Sequence, residues 1–185
     1  GYMAREKTSV SGERILTDPQ FIRVRENMSE FSKAAKGGKL FRTAIKELLR
    51  DAIDPSVSNR LTAAVMKVLK TDPNEERGLR TVDKGDSSLL LGFELNNAAT
   101  LPLIFYAPFT TAIDRETGVC NVTLADFNPA EMLLPPQSAT QFKVVSLATT
   151  VSFLDSTYNT TTAESAMFPW KKSVVPGVSL TTNVP

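Results

Sequence analysis

Residues 17–71 constrain this chain more than any other stretch. They hold three runs of apolar residues at steps of three and four, two of them opened by an Asp-Pro pair. An aspartate accepts a hydrogen bond from a free amide at a helix start, and proline fits the first helical position because it needs no donor there. Asp18-Pro19 therefore opens the first helix, with the stripe Phe21, Val24, Met28, Phe31 and Ala35. Gly37-Gly38 is expected to close it, since glycine takes the left-handed conformation without a Cβ penalty. The second helix is expected over 39–52, with Leu40, Phe41, Ala44, Ile45, Leu48, Leu49 and Ala52 on one face. Asp54-Pro55 opens the third, whose stripe is Val57, Leu61, Ala64, Val65 and Val68. Another such pair, Asp72-Pro73, starts one short turn that Gly78 stops. Three such stripes must bury against each other or against a sheet.

From Leu89 the period changes. Residues 89–95 and 101–107 read as short buried strands. Residues 110–114 and 119–125, joined by Arg115-Glu116-Thr117-Gly118, read as a β-hairpin. Residues 141–154 form the longest strand-like stretch, with Val145, Leu147, Val151 and Phe153 on one face, and 165–170 adds another strand. The expected fold is α+β: an N-terminal arm over 1–16, a three-helix unit over 17–84, and an antiparallel β-sandwich domain over 85–185.

Several chemistries are excluded by residue type. The chain has no histidine and one cysteine, Cys120. Ser-His-Asp and Cys-His mechanisms, histidine-ligated metals, thiolate zinc sites and intrachain disulfides are therefore absent. Glu75-Glu76 and Asp114 with Glu116 are carboxylate pairs in loops, without the spacing of an EF-hand. Gly37-Gly38-Lys39 is not a phosphate loop, because Lys33 stands where the earlier glycine belongs and Leu40 where a hydroxyl belongs. An anion on the amides at the start of the second helix is the form of phosphate contact left open. No catalytic residue, cofactor or metal is expected, and the chain reads as a non-enzyme.

Charge is unevenly placed. Residues 1–84 carry 17 basic against 12 acidic side chains, a net +5, and residues 85–185 carry 4 against 8, a net −4. Such a split suits head-to-tail contact between copies, and the expected partner is the protein itself as a homo-oligomer. The alternative partner is nucleic acid, contacted by Arg23, Arg25, Lys36, Lys39, Arg42 and Arg60 of the basic helical half. No apolar run reaches the roughly 18 residues of a membrane helix, so no membrane insertion is expected. The first residues are charged and lack the apolar centre of a secretory signal, which points to the cytoplasm or an assembled particle.

Five short motifs occur together: Arg25-Glu26-Asn27 with Glu30-Phe31; Gly38-Lys39-Leu40-Phe41-Arg42; Ser58-Asn59-Arg60-Leu61-Thr62; Arg77-Gly78; and Gly92-Phe93-Glu94-Leu95-Asn96. As a set they resemble a family of uncharacterised proteins common in Bacteroidetes genomes. The resemblance is good over the first half and looser over the second. It implies a longer protein, with a preceding hairpin rich in glycine and lysine, and it carries no activity and no functional residue. Together these features point to a non-enzymatic structural or assembly subunit, of a phage-like particle or filament. An accessory nucleic-acid-binding protein is the alternative.

Overall fold

The computed structural model describes residues 10–52, 54–171 and 174–184. The fold is α+β with antiparallel sheets. Its helices are α1 (Gly12–Thr17), α2 (Ile22–Ala44), α3 (Lys46–Asp51), α4 (Val57–Lys70), α5 (Leu101–Ile104) and α6 (Pro129–Met132). Its strands are β1 (Phe109–Ile113), β2 (Val119–Leu124), β3 (Gln141–Phe142), β4 (Val145–Ser152), β5 (Thr157–Glu164), β6 (Phe168–Pro169) and β7 (Val178–Asn183). The chain divides into two compact units: residues 1–37 with 62–91, and residues 38–61 with 92–185.

Asp18 and Asp54 open the helices expected of them, whereas after Asp72 the chain bends over 73–75 and turns over 77–79, with Gly78 inside that turn. Asp18 accepts from the Gln20 amide at 2.9 Å, Asp54 from Ser56 at 2.7 Å and Asp72 from Asn74 at 2.9 Å. Each carboxylate folds back on the amide two residues on, which fixes where the chain turns. The expected break at Gly37-Gly38 is absent. Helix α2 runs through both glycines, and neither takes the positive φ of a left-handed cap. A glycine inside a helix costs only about 1 kcal/mol, and both of these are buried. The helix ends instead at Ile45, with φ −100° and ψ 15°, after which α3 begins.

In the first unit, Ala34, Val65, Val68, Leu69 and Val82 are buried. The apolar stripe of α2 does not join them: Val24, Met28 and Phe31 are exposed, Phe31 by 60%. The packed face of this half of α2 is polar instead. Gly78 donates its amide to buried Glu30 at 2.9 Å, and its carbonyl accepts from Ser29 at 2.7 Å. The Lys33 ammonium donates to the carbonyls of Gly78, Leu79 and Arg80 at 3.2, 2.7 and 2.9 Å. Arg77 reaches Asn27 at 2.5 Å and Glu26 at 3.6 Å. This polar lock holds the loop after Asp72 on the helix.

In the second unit, β1, β2 and β7 form a three-stranded antiparallel sheet in that order, while β3 pairs with β6 and β4 with β5. The expected hairpin is present, with Phe109 opposite Leu124 and Ile113 opposite Cys120, and Gly118 at φ 73° in its loop. Strand β7 alternates strictly, burying Val178, Leu180 and Thr182. Ala107, Leu124, Phe127, Val175, Val178 and Leu180 make the core. Residues 89–95 and 101–107 are not strands. Ser87–Leu90 is a short 3-10 turn capped by Asp86, and Leu101–Ile104 is α5, opened by Pro102. The expected strand over 141–154 is divided into β3 and β4.

Candidate functional site

A chain of rings crosses the core of the second unit. Phe109 and Phe105 lie 6.1 Å apart, Phe105 and Phe127 5.8 Å edge to face, Phe127 and Phe142 5.9 Å, and Phe142 and Phe168 5.7 Å. Phe105, Phe109 and Phe142 line an open groove of about 460 Å3. Its walls are Leu101 and Ile104 of α5, Val122 and Leu124 of β2, and the segment from Leu133 to Pro136. Register explains its position. Phe109, Thr111 and Ile113 share the face of their β2 partners Leu124, Val122 and Cys120. That face is covered over β7, where Val178 and Leu180 are buried, and open over β1, where every residue is exposed.

The groove is poor in chemistry. Among the described residues that line it, Lys143 alone is ionisable, and its ammonium pairs with Glu164 at 2.7 Å. No nucleophile–base pair lines it, and no cluster of metal-ligating side chains occurs among the described residues. What it offers is apolar surface and the backbone of a strand edge.

The six basic residues singled out from sequence are largely engaged. Arg23 pairs with Glu26 at 3.1 Å. Arg25 donates to the carbonyls of Ile15 and Asp18 at 2.8 and 2.9 Å, pinning the chain before α2. Arg42 bonds Ser58. Arg60 binds Asp54 at 2.6 Å and lies 5.0 Å over the Phe93 ring. Asp54 is a hub. The Ser56 hydroxyl and the Asn97 amide, with Arg60 beside them, hold its carboxyl well below the usual range. Lys36 and Lys39 are exposed. The amide site expected at the start of a second helix does not exist, because Gly37, Gly38 and Lys39 lie inside α2. Arg42 also borders a shallow hollow with Lys46 and Arg50, two residues that sequence reasoning did not single out.

Residues of the five sequence motifs take part in these contacts. Arg25, Glu26, Asn27 and Glu30 join Arg77 and Gly78 in or beside the polar lock. Arg42 bonds Ser58, Arg60 links Asp54 with the Phe93 ring, and Glu94 accepts from the Leu101 amide at 2.9 Å. Their visible work is structural. The carboxylate pairs are likewise engaged: Asp114 accepts from the Glu116 amide within the hairpin loop, and Glu75 pairs with Lys84. Cys120 is half-buried in β2. No helix among the described residues is long and apolar enough to cross a membrane. Comparison with protein-family models, with curated proteins and with solved structures finds no match.

Proposed function

We propose that this protein is a non-enzymatic structural or assembly subunit that works as a homo-oligomer, in a repeating particle or filament. The observation that supports this most is the apolar groove left open beside β1. Surfaces of this kind, apolar at the centre and bordered by polar residues, serve contact between macromolecules. The finer architecture expected from sequence, a three-helix unit followed by an antiparallel sandwich, belongs to this proposal as its scaffold. So does the resemblance to the Bacteroidetes family. Light scattering over a concentration series, at low and high salt, tests it. Mass rising with concentration supports it, and a monomer throughout overturns it.

A second reading rests on the hollow bordered by Arg42, Lys46 and Arg50. Three basic side chains around one depression suit a phosphate backbone. Retention on DNA that falls steeply with salt would favour this reading, because phosphate contacts release counterions.

A further inference from the structure

The geometry points to one partner for the open edge of β1 beside the groove: strand β1 of a second copy of this chain, paired antiparallel about Thr111. The inference rests on the assembly reading and names one of its contacts, a two-fold one that pairs copies into dimers and is separate from the head-to-tail contact that the charge split suits. Strand β1 is an edge, with β2 on one side and no strand on the other among the described residues. The Asp114 amide donates to Val119 at 2.8 Å. Antiparallel pairing alternates, so Ala112 and Thr110 also bond toward β2. The N–H and C=O groups of Phe109, Thr111 and Ile113 therefore point away from it, toward the open edge.

Edge strands that stay single are blunted by brevity, by a lysine, proline or bulge, or by a covering loop or helix. Phe109–Ile113 has no charge, no proline and an unbroken register. It is also self-complementary. Pairing about Thr111 sets Phe109 opposite Ile113 of the partner subunit, and Ile113 opposite Phe109 of the partner subunit. Both are large, apolar and exposed, Phe109 by 44% and Ile113 by 69%. Their side chains lie on the groove side of the sheet, so an added strand brings a second phenylalanine and isoleucine to that side. No charge in the strand meets a like charge in this register.

The apolar contact is small: Phe109 and Ile113, with Leu101 and Leu134 of the groove, expose on the order of 400 Å2 of side-chain surface per copy, about half of the roughly 800 Å2 per partner in a standard interface, so strand hydrogen bonds carry much of the pairing. Two copies joined this way would share one six-stranded sheet, the symmetric outcome of pairing like with like.

Cysteine cross-linking in the full chain tests the register. In a Cys120→Ser background, Thr111→Cys should give a disulfide dimer under mild oxidation. The paired Cα atoms would stand about 5.5 Å apart, inside the roughly 4.4–6.8 Å that a disulfide spans. Thr110→Cys, one residue out of register, should cross-link several-fold less. Ile113→Lys and Thr111→Pro should each raise the concentration needed for association at least tenfold while leaving the melting temperature of the monomer near that of the parent. Light scattering that shows association, with no preference for Thr111→Cys and no effect of either edge variant, overturns the β1 pairing and leaves the assembly reading standing. A monomer at every concentration, without cross-linking, overturns both.

Discussion

Replacing Gly78 by alanine puts a methyl group where α2 already stands. Gly78 has φ +90°, and a Cβ there would lie 3.0 Å from Cγ of Glu26, 3.1 Å from its Cα and 3.2 Å from its Cβ. The left-handed backbone alone costs an L-residue roughly 1–2 kcal/mol. A Cα in the middle of a helix cannot swing aside as a side chain can, so the loop must lift by a few tenths of an ångström. That lift loosens the Gly78 bond to buried Glu30 and the bonds that Ser29 and Lys33 make to the Gly78 carbonyl. Hydrogen bonds to charged groups are worth roughly 1.5–3 kcal/mol, and partial loss adds about 1. The expected total is about 2–4 kcal/mol, or roughly 5–15 °C in Tm for a chain of this size. Gly92→Ala is the matched control, because Gly92 has φ +72° with nothing within 4 Å of its Cβ position. It carries the backbone strain without the contact. Circular dichroism melts and urea titrations of both variants would separate the two costs. If Gly78→Ala lies within about half a kcal/mol of Gly92→Ala, the loop does not sit rigidly on α2 and the argument fails.

Other perturbations read other parts of the molecule. Lys33→Met should destabilise by about 1–3 kcal/mol, because three carbonyls lose their donor; an unchanged urea midpoint would mean water replaces the ammonium at no cost. Leu61→Ala should cost about 2–5 kcal/mol, since Leu61 is only 1% exposed; a loss under 1 kcal/mol would show that its site collapses freely. Acid should destabilise the fold below about pH 4. Hydrogen bonds hold Asp18, Asp54, Asp86 and Asp114 below their usual pKa. Burial works to raise Asp72, but bonds from Asn74 and Thr81 outweigh it. Depressed carboxylates stabilise fully above their unfolded pKa near 4 and lose that contribution as pH falls through the lower folded values. With no histidine in the chain, melting temperatures should stay nearly level from pH 8 to pH 5; a fall already between pH 7 and pH 5 would contradict this.

Local signals were legible where the chemistry itself is local. The Asp-Pro turns, the stripe of α4 and the Gly118 hairpin follow from bonds that span a few residues. Gly37-Gly38 misled because a glycine pair permits a helix end without requiring one, and buried neighbours decided otherwise. Residues 101–107 misled because an apolar run fits a strand or a short helix, although Pro102 after Thr100 is a helix-start signal. Strand β7 carries a readable alternation, Val178, Leu180 and Thr182, all buried on one face. Strand β5, with its sequence TYNTTTAE, is polar on both faces and carries little signal. The groove was beyond local reading. Phe109, Thr111 and Ile113 show an inward face, but that this face lacks a cover depends on β7, some seventy residues later, taking the far side of β2.

Apolar exposure occurs in both units, and exposure alone does not single out a contact surface. In the first unit Val24, Met28 and Phe31 form an exposed stripe on α2, because the helix packs by Ser29, Glu30 and Lys33 instead. The backbone of that stripe is satisfied within its own helix, so a partner gains only apolar burial and is told nothing about register. Strand β1 differs. Three of its five residues present donors and acceptors at fixed spacing that no strand among the described residues pairs, next to a groove lined by rings. A strand added there gains hydrogen bonds that fix its direction and side chains that fix its register by alternation. Burial without direction gives stickiness, and hydrogen bonding without burial gives little affinity. The edge of β1 supplies both, which favours it over α2 as the proposed contact between copies.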